Sequence, residues 1–265
     1  MKDFAFHRPS TLADAIALLK SKPDAKLMSG GQSLIPVLKL DLAEPSDVIS
    51  LAGVKELHSI RVDGGNVLIG ALVTHDEVHR SADIAKHIPA LAHLAGMIGD
   101  AQVRNRGTIG GSVAHADPAA DYPAALLALG ATIATDRRKI PVDTFFTGLF
   151  ETALARDEVV FAVHIPIPKR AGYAKFAHRA SKYALVGVMV AETPTGVRVA
   201  VTGAATYVFR VPPMETALAA KWAPDAIAGI ALAPADLVGD HEASAEYRAH
   251  LVGVMAKRAI QASLA

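Results

Sequence analysis

The sequence contains no cysteine. That absence excludes disulfides, iron–sulfur clusters held by this chain, cysteine zinc sites and a cysteinyl link to a cofactor. Aromatic residues are scarce at 5%, with a single tryptophan, so the core is expected to close-pack alanine and aliphatic side chains instead of stacking rings. No apolar run approaches eighteen residues; the longest, near 123–134 and 184–191, are interrupted or short, and no membrane span is expected. Neither charge dominates: 27 Lys and Arg stand against 26 Asp and Glu, which gives no basic footprint for nucleic acid. The opening MKDFAFHRPSTLADAI lacks a basic segment, an apolar run and a small-residue cleavage site. The expectation is a soluble, cytoplasmic, globular protein. With 51% hydrophobic residues over 265 positions, the chain has ample material for one large domain or two to three subdomains.

Local signals place the elements. Thr11 with Asp14 predicts a helix start, with Leu12, Ala15, Ile16 and Leu19 at helical spacing. Lys26–Met28 reads as a short strand leading into Gly30–Gly31. LIPVLKLDLA follows as an apolar turn or helix, and DVISL as a strand, giving a β–turn–α–β unit. IRVDGGNVLIGAL is a hairpin signal around Asp-Gly-Gly, and Thr74 with Glu77 caps a helical turn. IPALAHLAGMIG predicts a helix, VRNRGTIGGSVAHADPAAD a polar glycine-rich connection, PAALLAL a helix and ATIAT a strand. PVDTFF and EVVFAVHIPIP carry extended structure. Beyond 172, YAKFAHRA, YALVGVMVAE, GVRVAVTGAA and TYVFRVP read as strands, and two helices close the chain, the last capped by Ser244. Soft boundaries fall near 57 and 172, giving units 1–57, 58–172 and 173–265.

Two short stretches share a texture: SGGQS at 29–33 and TIGGS at 108–112, their glycine pairs 80 positions apart (110 − 30). Each pair either serves a turn needing positive φ or lets a phosphate reach consecutive backbone N–H groups, with Ser29, Ser33, Thr108 and Ser112 adding hydroxyls. Neither stretch contains a Walker lysine or GxGxxG, which argues against a P-loop or Rossmann site. HDEVH at 75–79 approaches the HExxH zinc pattern, but Asp76 stands where the longer glutamate is required. HADPAAD places His115, Asp117 and Asp121 in a loop, where the carboxylates suit sugar hydroxyls or, for Asp121, a helix N-cap. No nucleophile elbow is present, and no catalytic acid–base or metal-binding set is assigned.

SGGQSLIPVLKLDLAEPSDVISL together with RNRGTIGGSVAHADPAADYPAALLALGA resembles the FAD-binding medium subunit of molybdenum hydroxylases, the family of aerobic carbon monoxide dehydrogenase, nicotine dehydrogenase and the flavin region of xanthine dehydrogenase. FFTGLFETALARDEVV and the C-terminal HEASAEYRAHLVGVMAKRAI continue the likeness over nearly the whole chain.

The resemblance implies an α+β architecture of the vanillyl-alcohol-oxidase (PCMH) type, with two α/β subdomains clasping FAD and a third α+β subdomain. It places the pyrophosphate against Ser29, Gly30, Gly31, Gln32, Ser33 and Leu34 on one side and Thr108, Ile109, Gly110, Gly111 and Ser112 on the other. It puts Asp117 and Asp121 near ribityl or ribose hydroxyls, Val159 and Val160 behind the isoalloxazine, and Lys175 and Tyr183 close to the flavin. Ser29 stands where alanine is common. Lys182 stands where an acidic residue is frequent, and the added cation would favour reduced, anionic flavin. The family assignment further implies non-covalent FAD and electron transfer to an external acceptor. Its partners are a large molybdenum-cofactor subunit and a small subunit with two [2Fe–2S] clusters, assembled as a dimer of heterotrimers. A self-sufficient FAD oxidoreductase of the same fold and a non-redox nucleotide-binding module are the alternatives.

Overall fold

The computed structural model describes residues 1–264. Its first unit comprises β1 (Ala5–His7), α1 (Leu12–Ser21), β2 (Lys26–Met28), α2 (Leu34–Lys39) and β3 (Asp47–Ser50). The strands form a parallel sheet in the order β1-β3-β2. Thr11 caps α1, its hydroxyl accepting from the Asp14 N–H at 3.1 Å, so Ala15 and Leu19 turn onto β3 and pack near Ile49. The predicted β–turn–α–β unit is therefore present. Its first turn carries Gly30 and Gly31, the latter at φ +74°.

The second unit runs β4 (Ile60–Asp63), β5 (Asn66–Gly70), α3 (His75–Arg80), α4 (Ala82–His87), α5 (Pro89–Gly96), α6 (Ala101–Arg104), α7 (Ile109–His115) and α8 (Asp121–Leu129), then β6 (Thr132–Thr135), β7 (Lys139–Pro141), β8 (Phe146–Gly148), β9 (Glu151–Thr152) and β10 (Val160–Pro166). Gly64 and Gly65, both at positive φ, make the predicted hairpin turn between β4 and β5. The main sheet is antiparallel, in the order β4-β5-β10-β6-β7. α8 is buried at every position and forms the centre of the largest core with α5 and the inner face of the sheet. Thr74 and Glu77 form a complete capping box on α3.

The third unit is a meander of β11 (Arg170–Ala177), β12 (Ala184–Thr193), β13 (Gly196–Thr202) and β14 (Phe209–Arg210), followed by α9 (Pro212–Ala220) and α10 (Ala245–Ala262). Valines of β12 and β13 face one side, where α10 covers them with Leu251, Val252, Met255 and Ile260. Ala191, Ala200 and Met189 on the opposite face join the core of the second unit. The meander is thus buried on both faces. The loop at 116–120 is fastened to it: Thr202 Oγ1 donates to the carbonyls of Pro118 and Ala120, both at 2.7 Å, and the Gly203 N–H donates to Pro118 O.

Five expectations change. The stretch 109–115, read as part of an irregular connection, is helix α7, because Thr108 caps it and its glycines let it settle against β5. Asp121 is the first residue inside α8 instead of its N-cap, which is Ala120. Residues 142–144 form a 3₁₀ turn, and only Phe209–Arg210 of TYVFRVP is strand. The sheet changes between Pro166 and Arg170, so a boundary at 172 cuts through β11.

Candidate functional site

The three units meet around one cleft of about 590 Å³. Every residue that the resemblance assigns to the cofactor, except Ile109 and Lys175, lines it. The two glycine motifs touch across it: Thr108 Oγ1 donates to Ser29 Oγ at 3.1 Å, bridging 79 positions of sequence. Close approach explains the missing side chains. A Cβ on Gly111 would stand 2.6 Å from Ser29 Oγ and 2.9 Å from Thr108 Oγ1, and one on Gly30 would strike the backbone of Arg106 and Gly107. A Cβ on Gly110 would stand 2.7 Å from the Ala71 backbone.

The two motifs nevertheless differ in what they offer a ligand. At the second, the Ile109 N–H donates to Val73 O and the Gly110 N–H to Ala71 O, each at 3.0 Å. The Gly111 N–H donates to Thr108 Oγ1 at 3.1 Å and the Ser112 N–H to Thr108 O. These amides are committed to the fold, so the expectation of a second backbone nest is corrected. At the first motif, the N–H groups of Gly30, Gly31, Gln32, Ser33 and Leu34 meet no protein acceptor among the described residues. Gly31 in the left-handed region bends that run around the cleft edge, the geometry by which successive amides converge on an anion. The seam is therefore asymmetric: one loop presents donors, and the other braces it.

The walls follow from the neighbouring elements. Val159 and Val160, 2% and 5% exposed, form an apolar floor where β10 begins. The strand start is tied down, since the Val159 N–H donates to Asp136 Oδ1 and the Asp136 N–H to Val159 O. Glu158 beside them accepts from Arg138, Thr135 and the Ala155 N–H; the Arg138 guanidinium is the main reason its pKa falls from 4.5 to about 2. Asp117 accepts from the Ala119 N–H at 2.8 Å, which fixes the 116–120 loop and leaves the carboxylate lining the cleft. Tyr183 reaches in from the β11–β12 hairpin. Burial and then the charges of Asp117 and Asp121 raise its pKa, against the neighbouring Ser33 hydroxyl.

Two assignments move away from the cleft. Ile109 is fully buried in the central core, because the helix turns it there. Lys175 lies behind the cleft wall, its side chain 1% exposed and bonded to Asp121, since a buried ammonium requires a counter-charge. Asp121 lines the cleft, but it is 5% exposed and taken by Lys175 and the Tyr173 hydroxyl. Burial raises its pKa while Lys175 opposes the shift.

His75, in a motif that departs from the zinc pattern and was not assigned to the site, also lines the cleft. It packs on Tyr122 with ring centroids 5.3 Å apart. Burial, aided by Arg104, lowers its pKa from 6.5 to about 4, so the imidazole is neutral near pH 7. His79 turns away and bonds Ala92 O through Nδ1. No group of three or more His, Asp or Glu suited to a metal occurs among the described residues.

The donor set fits a dinucleotide with a diphosphate: free amides in a tight loop, a carboxylate for hydroxyls, and an apolar floor for a flat ring. Comparisons with known proteins agree. Residues 2–168 match the family described as the FAD binding domain in molybdopterin dehydrogenase. The chain is 38% identical to the nicotine 6-hydroxylase medium subunit of Paenarthrobacter nicotinovorans, over 95% of this chain and 94% of the relative. It is 34% identical to the carbon monoxide dehydrogenase medium chain of Hydrogenophaga pseudoflava, over 99% and 97%. A solved structure of carbon monoxide dehydrogenase from that organism superposes with a TM-score of 0.89 at 34% identity, covering 99% of this chain and 98% of the other. Quinoline 2-oxidoreductase from Pseudomonas putida 86 gives 0.90 at 30% identity, covering 100% and 99%. The fold is the α+β PCMH type anticipated from the resemblance, the cofactor is FAD, and the chain belongs to the FAD-binding medium subunits of the molybdenum hydroxylases, an oxidoreductase flavoprotein family.

Proposed function

We propose that the chain is the electron-transfer subunit of a heterotrimeric molybdenum hydroxylase. Electrons arrive from two [2Fe–2S] clusters of a small partner subunit, which draws them from a large molybdenum-cofactor subunit, and leave to an external acceptor. The assembly is a dimer of heterotrimers in the cytoplasm. The absence of cysteine supports this division of labour, because the chain holds no ligands for such clusters.

The observation that carries the reading is the Ser29–Thr108 hydroxyl bond, which closes the two glycine motifs into one seam beside five free amides. In this reading Gly30–Leu34 hold the pyrophosphate through backbone N–H groups. The hydroxyls of Ser33 and Ser112 flank it, and Asp117 accepts from ribityl or ribose hydroxyls. Val159 and Val160 exclude water from one face of the ring, and Tyr183 borders it from the third unit. Bound non-covalently, FAD supplies the electron-carrying chemistry, while the protein supplies orientation and electrostatics. Relay of this kind requires proximity, not a general base.

The test has two stages. Purified chain incubated with FAD is expected to retain a flavin spectrum through gel filtration, bleach with dithionite and release FAD on denaturation. A well-folded preparation that binds no flavin from excess FAD would sink the assignment. Co-purification with cluster- and molybdenum-bearing chains then checks the relay. Steady turnover by the isolated chain of a small-molecule donor other than NADH would favour a self-sufficient oxidoreductase instead.

A further inference from the structure

Lys175 does not touch the cleft, yet it connects to it. It lies on β11 two positions after Tyr173, on the same face, and both side chains meet Asp121 at the start of α8. An ion pair buried to this degree is poor value as a stabiliser, because desolvation offsets most of the attraction. Its remaining hydrogen bond is more informative. Lys175 Nζ also donates to the main-chain carbonyl of Lys182 at 2.9 Å.

That carbonyl belongs to the turn joining β11 to β12. Lys182 adopts φ +64°, a left-handed conformation costly for a residue with a Cβ. The turn is closed by the His178 N–H to Tyr183 O at 2.8 Å and the Lys182 N–H to His178 O at 3.0 Å. Its flank lies so close to Gly99 that a Cβ there would stand 2.5 Å from Lys182 Cβ. Ser181, Lys182 and Tyr183 all line the cleft, and the Tyr183 phenol lies beside the Ser33 hydroxyl of the amide-donating loop. A strained turn held at Lys182 by a buried cation thus presents an aromatic ring at the next residue, Tyr183.

We propose that Lys175 is a positioning residue: anchored on Asp121, its ammonium grips the Lys182 carbonyl and thereby sets Tyr183 over the cofactor cleft. The inference rests on the reading that this cleft holds FAD. Asp121 and Lys175 then act on the cofactor through the turn, without touching it.

A double-mutant cycle in the full chain tests this. FAD is titrated into wild type, Lys175→Met, Tyr183→Ala and the double variant, with affinity read from flavin fluorescence and ring environment from visible circular dichroism. Each single variant should weaken FAD binding about tenfold, Lys175→Met because the turn loses a charge-assisted hydrogen bond and Tyr183→Ala because the ring it positions is gone. The double variant should be no more than about twofold weaker than the weaker single, because both changes remove the same contact. The flavin dichroism of the two singles should also coincide. Effects that multiply, or either single variant binding like wild type, overturn the proposal. Should Lys175→Met not fold, Asp121→Asn with Lys175→Met leaves no unpaired charge and takes its place in the cycle. Wild type that binds no FAD would sink the cofactor reading itself, a separate outcome.

Discussion

Replacing His75 with glutamine should alter how stability depends on pH. His75 is 6% exposed, its Nδ1 has no partner among the described residues, and its pKa is lowered from 6.5 to about 4, first by burial and then by Arg104. Burial penalises the imidazolium, so the folded chain binds this proton less readily than the unfolded chain. A depressed folded pKa means no penalty above the unfolded value of 6.5, and stability lost as pH falls from there towards 4. At pH 4.5 the unfolded imidazole is almost fully protonated and the folded one mostly neutral, which destabilises the fold by about 2.5 kcal/mol relative to pH 7. Carboxylates titrating over the same range contribute equally to wild type and variant, so the difference isolates His75. Urea unfolding at pH 7 and 4.5 should show His75→Gln losing about 2.5 kcal/mol less than wild type. Parallel losses would refute the argument, since they would mean that the imidazole is solvated or paired in the folded state.

Four further outcomes follow, three from the cleft and one from the third unit. Gly111→Ala should weaken FAD binding while leaving the unfolding midpoint near wild type, because its Cβ meets two side-chain hydroxyls; isothermal titration and thermal melts separate the effects. Gly110→Ala should instead cost about 1–3 kcal/mol of stability, because its Cβ meets the Ala71 backbone. Glu158→Gln should remove a stabilising contribution that wild type has above pH 4.5 and loses as pH falls towards about 2, the sign expected for a carboxylate with a depressed folded pKa; acid titration of the melting temperature checks it. Arg248→Met should destabilise by about 2–4 kcal/mol, since it strips the Leu185 and Gly203 carbonyls of a buried donor, and chemical denaturation measures the loss.

Local chemistry made much of the fold legible. Thr11 with Asp14, Thr74 with Glu77, Asp63-Gly64-Gly65 and Ser244 each act within a few residues, and each signal lies where the structure has a cap or a turn. Helix α7 was hidden because paired glycines disfavour helix, a penalty overridden by the Thr108 cap and by tertiary contact with β5. Within the site, motif membership identified neighbourhoods but not side-chain directions. Ile109 lies between two cleft residues yet turns into the core, and Lys175 faces Asp121, 54 positions away. The amides at 109–111 looked free in sequence, since their acceptors, Val73 O, Ala71 O and the Thr108 hydroxyl, depend on how the chain folds back. His75 was not legible as a cleft residue, since HDEVH carries no local sign of its neighbour Tyr122, which α8 brings in.

The start of β10 has one more consequence. Val159 and Phe161 pack with Ala15, Ile49 and Leu57 in the core of the small first unit, while Val160 and Val163 belong to the central core. One strand alternates between two interiors. The first unit therefore borrows part of its hydrophobic filling from residues a hundred positions downstream and is not a detachable module. Heating should melt the first and second units in a single calorimetric transition. A protease cut near residue 57 should leave two fragments that stay associated until denaturant separates them.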